Sequence, residues 1–271
     1  MRLRRGRLWA GLLAAAVVAL AIGLAAPGAW RAWSLRPPSA ACRARTFDVT
    51  LAGLGLHLPA SPLVRVDVGA GRDGGYPLAD PLRLRDFCDR ARPGRGARIT
   101  AVRLNLDPAG PCRTAADRLA AIACPDAGRW TRAAVYSPTE FDHIALGSSL
   151  GSYASFRRER AVTEVNEAPM DAVRVGDFDR YPDGFWVAPA WITASGEPVA
   201  ISCQPSHAVA GALDCTTTHA VGAGLQATLD FRAAPQDVEA TARRVEADLT
   251  LVLAALAPGQ GLGMTPPPTG T

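Results

Sequence analysis

The clearest alternation of apolar and polar positions lies in the last third of the chain. The runs at 185–193 (FWVAPAWIT), 198–204 (PVAISCQ), 212–221 (ALDCTTTHAV) and 225–232 (LQATLDFR) each read as a strand. Short turn-forming segments at 194–196, 205–211 and 222–224 join them, which predicts an antiparallel meander. In residues 234–257 the period changes. Val238, Ala242, Val245, Leu249, Val252 and Leu256 recur every three or four positions between Pro235 and Pro258, so a long amphipathic helix follows the meander.

Nearer the amino terminus, Phe47, Val49 and Leu51 alternate on one face and Leu54, Leu56 and Leu58 on another, broken by Gly53, Gly55 and Pro59, which predicts two or three short strands. Turn formers dominate 69–96, with a short helix at 82–91. Residues 97–106 (ARITAVRLNL) read as one strand, 114–123 as a helix capped by Thr114, and 129–136 as a strand. Residues 137–153 read as loop, 156–165 fit either helix or strand, and 171–175 fit a short strand. The fold class is therefore α+β, antiparallel sheet with the long carboxyl-terminal helix packed on a meander.

One segment belongs to a different solvent. Residues 8–26 are uninterrupted by charge, and about 19 residues at about 1.5 Å each give about 28 Å, the depth of a bilayer core. The MRLRRGR flank puts four arginines before this run, which keeps residues 1–7 cytoplasmic and sends the remainder outward. Ala26-Pro27-Gly28 is a poor cleavage site, and Trp30 and Trp33 beside Arg31 and Arg36 match the interfacial anchors of a retained helix. The expected organisation is a flank at 1–7, a signal-anchor at 8–26, a linker at 27–41, an exported domain at 42–258 divisible into 42–165 and 166–258, and a disordered tail at 259–271. That places the protein in the bacterial inner membrane, single-pass, with its carboxyl-terminal domain in the periplasm, or free in the periplasm if the segment is cleaved.

Charge removes one class of function. All 29 basic residues are arginine, six of them in residues 1–37, where no acid occurs, so the remainder carries 23 arginines against 25 acids. A slightly acidic folded part argues against nucleic acid, whose phosphates demand concentrated positive charge. The six cysteines all lie beyond the anchor, and an even count in an oxidising compartment reads as disulfides. Proximity favours Cys203 with Cys215 and Cys112 with Cys124, leaving Cys42 with Cys88. Of the 15 possible pairings, only the pairing of Cys203 with Cys215 has strand patterns on both sides of a turn to support it.

Catalytic motifs are sparse. Gly147-Ser148-Ser149-Leu150-Gly151 fits the G-x-S-x-G elbow of a nucleophilic serine, with Asp177, Asp179 or Asp183 and His207 or His219 following in the order that fold uses. The antiparallel meander after it is the wrong context for that fold, so Ser149 is a minority candidate. Cys203-x3-His207 and Cys215-x3-His219 nominally offer two cysteines and two histidines to zinc. Residues four apart on a strand are about 13 Å apart, which denies Cys215 and His219 a common metal. His57 and His143 stand alone, Glu140 and Asp142 read as loop polarity, and Phe185, Trp186 and Trp191 read as core before they read as a binding surface. No cofactor or metal is expected.

Phe47-Asp48-Val49, residues 58–62 (LPASP), residues 196–203 (GEPVAISC), Leu213-Asp214-Cys215, residues 229–232 (LDFR) and the final helix together resemble small exported proteins of Gram-negative bacteria, including periplasmic immunity proteins that guard against type VI secretion effectors. There is no lipid-attachment cysteine after the apolar run, and the final helix has no tryptophan near its start. The resemblance implies a protein without catalytic activity that binds and neutralises a toxin enzyme, and it transfers no catalytic residues. An envelope assembly or secretion-machine subunit is the second reading, and a serine hydrolase using Ser149 the third.

Overall fold

The computed structural model describes residues 39–43, 46–61, 63–69, 75–78, 80–91, 96–106, 131–139, 152–166 and 171–263. The anchor expected at 8–26, Trp30 and Trp33, the helix expected at 114–123, Cys112, Cys124, His143 and Ser149 lie outside them. Among the described residues no helix is long and apolar enough to cross a membrane.

The sequence folds as α+β around two sheets. After a short helix α1 (Ala40–Arg43), β1 (Thr46–Leu51) and β2 (Leu54–Pro59) form a hairpin. Its two-residue turn places Ala52 and Gly53 at φ of 49° and 85°, the left-handed pair that matches the twist of the flanking strands. β3 (Val64–Asp67), β4 (Tyr76–Pro77), helix α2 (Pro81–Arg90), β5 (Ala97–Ile99), β6 (Ala101–Leu106) and β7 (Thr131–Tyr136) follow. Helix α3 (Tyr153–Asn166) precedes β8 (Val173–Val175), β9 (Phe178–Arg180), β10 (Phe185–Ile192), β11 (Pro198–Pro205), β12 (Leu213–Gly222) and β13 (Leu225–Ala233). A 3-10 turn at Pro235–Asp237 then leads into helix α4 (Val238–Leu256).

Ten strands form one sheet in the order β4-β3-β6-β7-β13-β12-β11-β10-β9-β8, and β2-β1-β5 form the other. Every pair in the large sheet is antiparallel. The sheet crosses residue 165 without a break, because β7 pairs with β13. Helix α4 contacts β13 and β6 of the large sheet on one side and β2 of the small sheet on the other. Its stripe of Val238, Ala242, Val245, Leu249, Val252 and Leu256 is buried throughout, as the spacing predicts.

Four local features add to or depart from the simple pattern. Residues 97–106 are two strands in two sheets, divided at Thr100, whose N–H donates to the Asp67 carbonyl at 2.7 Å. This bond turns the chain from the small sheet into the large one. In β10, pairing with β11 jumps from Ala188↔Val199 to Ile192↔Pro198, so Pro189 and Ala190 bulge outward and Trp191 returns to the face that carries Trp186. The ambiguous segment at 156–165 is helical. Beyond α4, Leu262 is buried in the core and Gly263 N–H donates to Val221 O at 3.0 Å, while 264–271 of the expected tail lie outside the described residues.

Two covalent staples fix this frame. Cys203 and Cys215 face each other directly across β11 and β12, with Cα atoms 4.1 Å apart, and are bonded. Cys42 is bonded to Cys88 of α2, fastening the start of the folded region to the helix that packs Phe87 against Phe47 of β1. The loops they close span 46 residues for Cys42 to Cys88 and 12 for Cys203 to Cys215, and loop-closure entropy gives about 4 kcal/mol for the longer and about 3 kcal/mol for the shorter.

Candidate functional site

Strand alternation gives the large sheet two chemically different faces. Val64, Val102, Leu104, Val135, Leu229, Phe231, Ile201 and Trp186 point toward α4 and form the main core. The intervening residues point to the face on which α3 packs, and most of them are polar. Arg132, Asp230, Thr216 and Ser202 stand directly opposite one another across β7, β13, β12 and β11. In the next row Arg232, Asp214 and Gln204 are aligned in the same way.

These rows enclose a cleft of about 250 Å³ lined by Arg132, Gln204, Asp214, Thr216 and Asp230. Thr216 Oγ1 donates to Asp230 Oδ1 at 2.8 Å, and Arg232 Nε donates to Asp214 Oδ1 at 2.7 Å. The two carboxyls are driven in opposite directions. Burial pushes Asp230 above its ordinary value, against the Thr216 hydrogen bond and the Arg132 charge. The Arg232 hydrogen bond holds Asp214 below its ordinary value.

At the other end of the same face α3 covers an aromatic cluster. Phe156 sits 5.5 Å from Phe185 and 4.9 Å from Tyr181, ring centroid to centroid, and Arg160 stacks over Tyr181. On the same face a chain of hydroxyls crosses β7, β13 and β12. Tyr136 OH lies 3.3 Å from Thr228 Oγ1, which lies 3.0 Å from Thr218 Oγ1.

The histidine of interest turns the other way. His219 alternates with Thr218 and so faces α4, where its Nε2 meets Glu246 Oε1 at 3.2 Å, with both side chains almost wholly buried. His219 Nδ1 and Glu246 Oε2 find no hydrogen-bond partner among the described residues. A buried polar pair held by one hydrogen bond is costly to desolvate and is retained only where removing one member is worse.

The bond between Cys203 and Cys215 takes both thiolates from the nominal zinc set, and His207 lies on the exposed turn after β11. Among the acids considered as partners for Ser149, Asp177 pairs with Arg243, Asp179 with Arg174, and Asp183 accepts from Phe185 N–H. His57 pairs at 2.6 Å with Asp48, its in-register neighbour on the exposed side of the small sheet. Phe185, Trp186 and Trp191 are all buried.

The sequence pattern alone singles out neither Asp230 nor Glu246. Glu246 sits beside Val245 and Leu249 in the buried stripe, and a lone acid next to such a stripe is the available signal. Asp230 looks like an ordinary outward residue of an alternating strand; its significance depends on the cross-strand alignment with Thr216 and Arg132. No protein-family model, no curated protein and no solved structure matches this chain.

Two outcomes follow from these groups. Replacing either His219 or Glu246 by alanine leaves the other buried without a partner and lowers stability by about 3 kcal/mol, whereas the double replacement by leucine restores parental stability or exceeds it. Urea melts of the three variants check this, and a double variant weaker than both singles contradicts it. For Asp230 the raised folded value means the folded state holds its proton more tightly than the unfolded one, so stability declines as pH rises from 3.8 through the folded value. Asp230→Asn therefore melts higher than the parent at pH 7, with the difference vanishing below pH 3.8. An unchanged melting temperature at both pH values sinks this reading.

Proposed function

We propose that this chain is held in the bacterial inner membrane by residues 8–26, projects its folded part into the periplasm, and acts there by binding another protein. Its most specific form is that of an immunity protein, which neutralises a secreted toxin enzyme by occupying it. The observation that carries the binding reading is the α3 face of the large sheet. One face of the sheet is consumed by α4 and the core, while the other offers Arg132, Asp230, Thr216, Arg232, Asp214 and Gln204 at positions fixed by strand register. Arg132 and Gln204 are exposed and Asp214, Thr216, Asp230 and Arg232 half-buried. Charged, hydroxyl and amide groups that are already ordered lose little entropy on association and discriminate partners by charge complementarity. The two disulfides accord with an oxidising compartment.

The test uses the full-length chain, kept oxidised in detergent, as bait in extracts of its own organism. The parent retains one secreted enzyme in stoichiometric amount and inhibits it, and Arg132→Glu together with Gln204→Arg abolishes both effects while the variant still melts cooperatively. Retention of envelope machinery instead supports an assembly subunit. Labelling of the folded chain by a fluorophosphonate, lost in Ser149→Ala, replaces the binding reading with a serine hydrolase.

A further inference from the structure

A second cavity, of about 290 Å³, opens beside the start of α3. Its walls come from three separate parts of the chain. Ser152, Ser155 and Arg158 belong to the first turns of α3 and the residue before it, Glu197 to the turn between β10 and β11, and Thr218 and Gln226 to the hairpin of β12 and β13.

The base of this cavity is rigid and polar. Ser155 and Thr218 are more than nine-tenths buried. Ser152 Oγ lies 2.8 Å from Ser155 Oγ and also accepts from Ser155 N–H at 3.0 Å. Thr218 is the outer end of the hydroxyl chain that runs through Thr228 to Tyr136, and Tyr136 OH reaches Gln226 Oε1 at 3.5 Å. The Glu197 turn is equally fixed, by Thr193 N–H to Glu197 O at 2.8 Å and Gly196 N–H to Thr193 O at 3.0 Å. Hydroxyls held in this way present donors and acceptors in set directions without further ordering cost.

Two opposite charges stand at the mouth. Arg158 and Glu197 face the same cavity from different elements, yet neither takes part in an ion pair of the described residues. A cation and an anion that line one small polar cavity without pairing with another described residue match a ligand that carries both charges. The volume is at the lower bound of the roughly 300–1,000 Å³ of drug-sized sites, so the occupant is small.

We propose that this cavity binds a small zwitterion of the amino-acid class, its carboxylate on Arg158 and its ammonium group on Glu197, with the serine and threonine hydroxyls below receiving a short polar side chain. The site lies on the same face of the large sheet as the rows proposed for the protein partner but shares no lining residue with their cleft. It uses no atom of the cleft around Asp230.

Calorimetric titration of the full-length chain in detergent tests this with glycine, L-alanine and L-serine as probes. N-acetyl-L-alanine and L-alaninamide, each lacking one charge, serve as comparisons. At least one zwitterion binds saturably, with L-serine the tightest, and each singly charged analogue binds at least about tenfold more weakly, the loss expected for one charge-assisted hydrogen bond. Arg158→Gln and Glu197→Gln are exposed substitutions that leave the ligand-free melting temperature unchanged and each weaken the zwitterion by about tenfold or more. The proposal is overturned by absence of saturable binding of all three probes at about 10 mM, by equal binding of the blocked analogues, or by parental affinity in both variants.

Discussion

The alignment of β12 between β11 and β13 governs almost every other feature of this molecule. A shift of one residue would exchange the two faces of the strand. It would carry Cys215, Thr217, His219 and Val221 away from α4 and drive Asp214, Thr216 and Thr218 into the core. The bond between Cys203 and Cys215 holds that alignment covalently, and Thr217 Oγ1 reinforces it by donating to Ala200 O at 2.7 Å. From this one register follow the apolar seat for α4, the polar rows on the opposite face and the hydroxyls that line the cavity beside α3.

The layering around α4 follows from the same constraint. The helix lies between two sheets, so its buried surface extends beyond a single stripe and takes in Thr241, Glu246 and Asp248. Enclosing acids in such a place is unfavourable unless each finds a partner, and His219 is the partner that the register delivers to Glu246. At its amino-terminal end α4 is tied to the edge of the large sheet through Arg243, which joins Asp177 at 2.7 Å and Glu239 at 3.0 Å and stacks over Trp191. The bulge in β10 is what returns Trp191 to that position.

Legibility from sequence divides along contact distance. The meander of β10 to β13 and the helix after it are read correctly from pattern, because short turns force neighbours in sequence to pair. The amino-terminal half is harder, since β3, β6 and β7 reach their places through long connections. Nothing in ARITAVRLNL announces that Thr100 will bind the Asp67 carbonyl and send the two halves into different sheets. Helix α3 was ambiguous because its fourth to eighth residues, Phe156 to Arg160, include one apolar side chain and four charged ones, and its seat is a single aromatic cluster. The pairing of Cys203 with Cys215 was visible, while the polar rows required registers that only the folded sheet supplies.

Two questions remain linked: the register in which the chain folds and the redox state of the compartment in which it does so. Both are addressed by purifying the protein from its own cells after rapid thiol blocking, digesting it without reduction and identifying the linked peptides. The predicted result is peptides joined at Cys203 to Cys215 and at Cys42 to Cys88, with no blocking group on those four residues. Blocked thiols at these positions, or Cys203 joined to any cysteine other than Cys215, contradicts it.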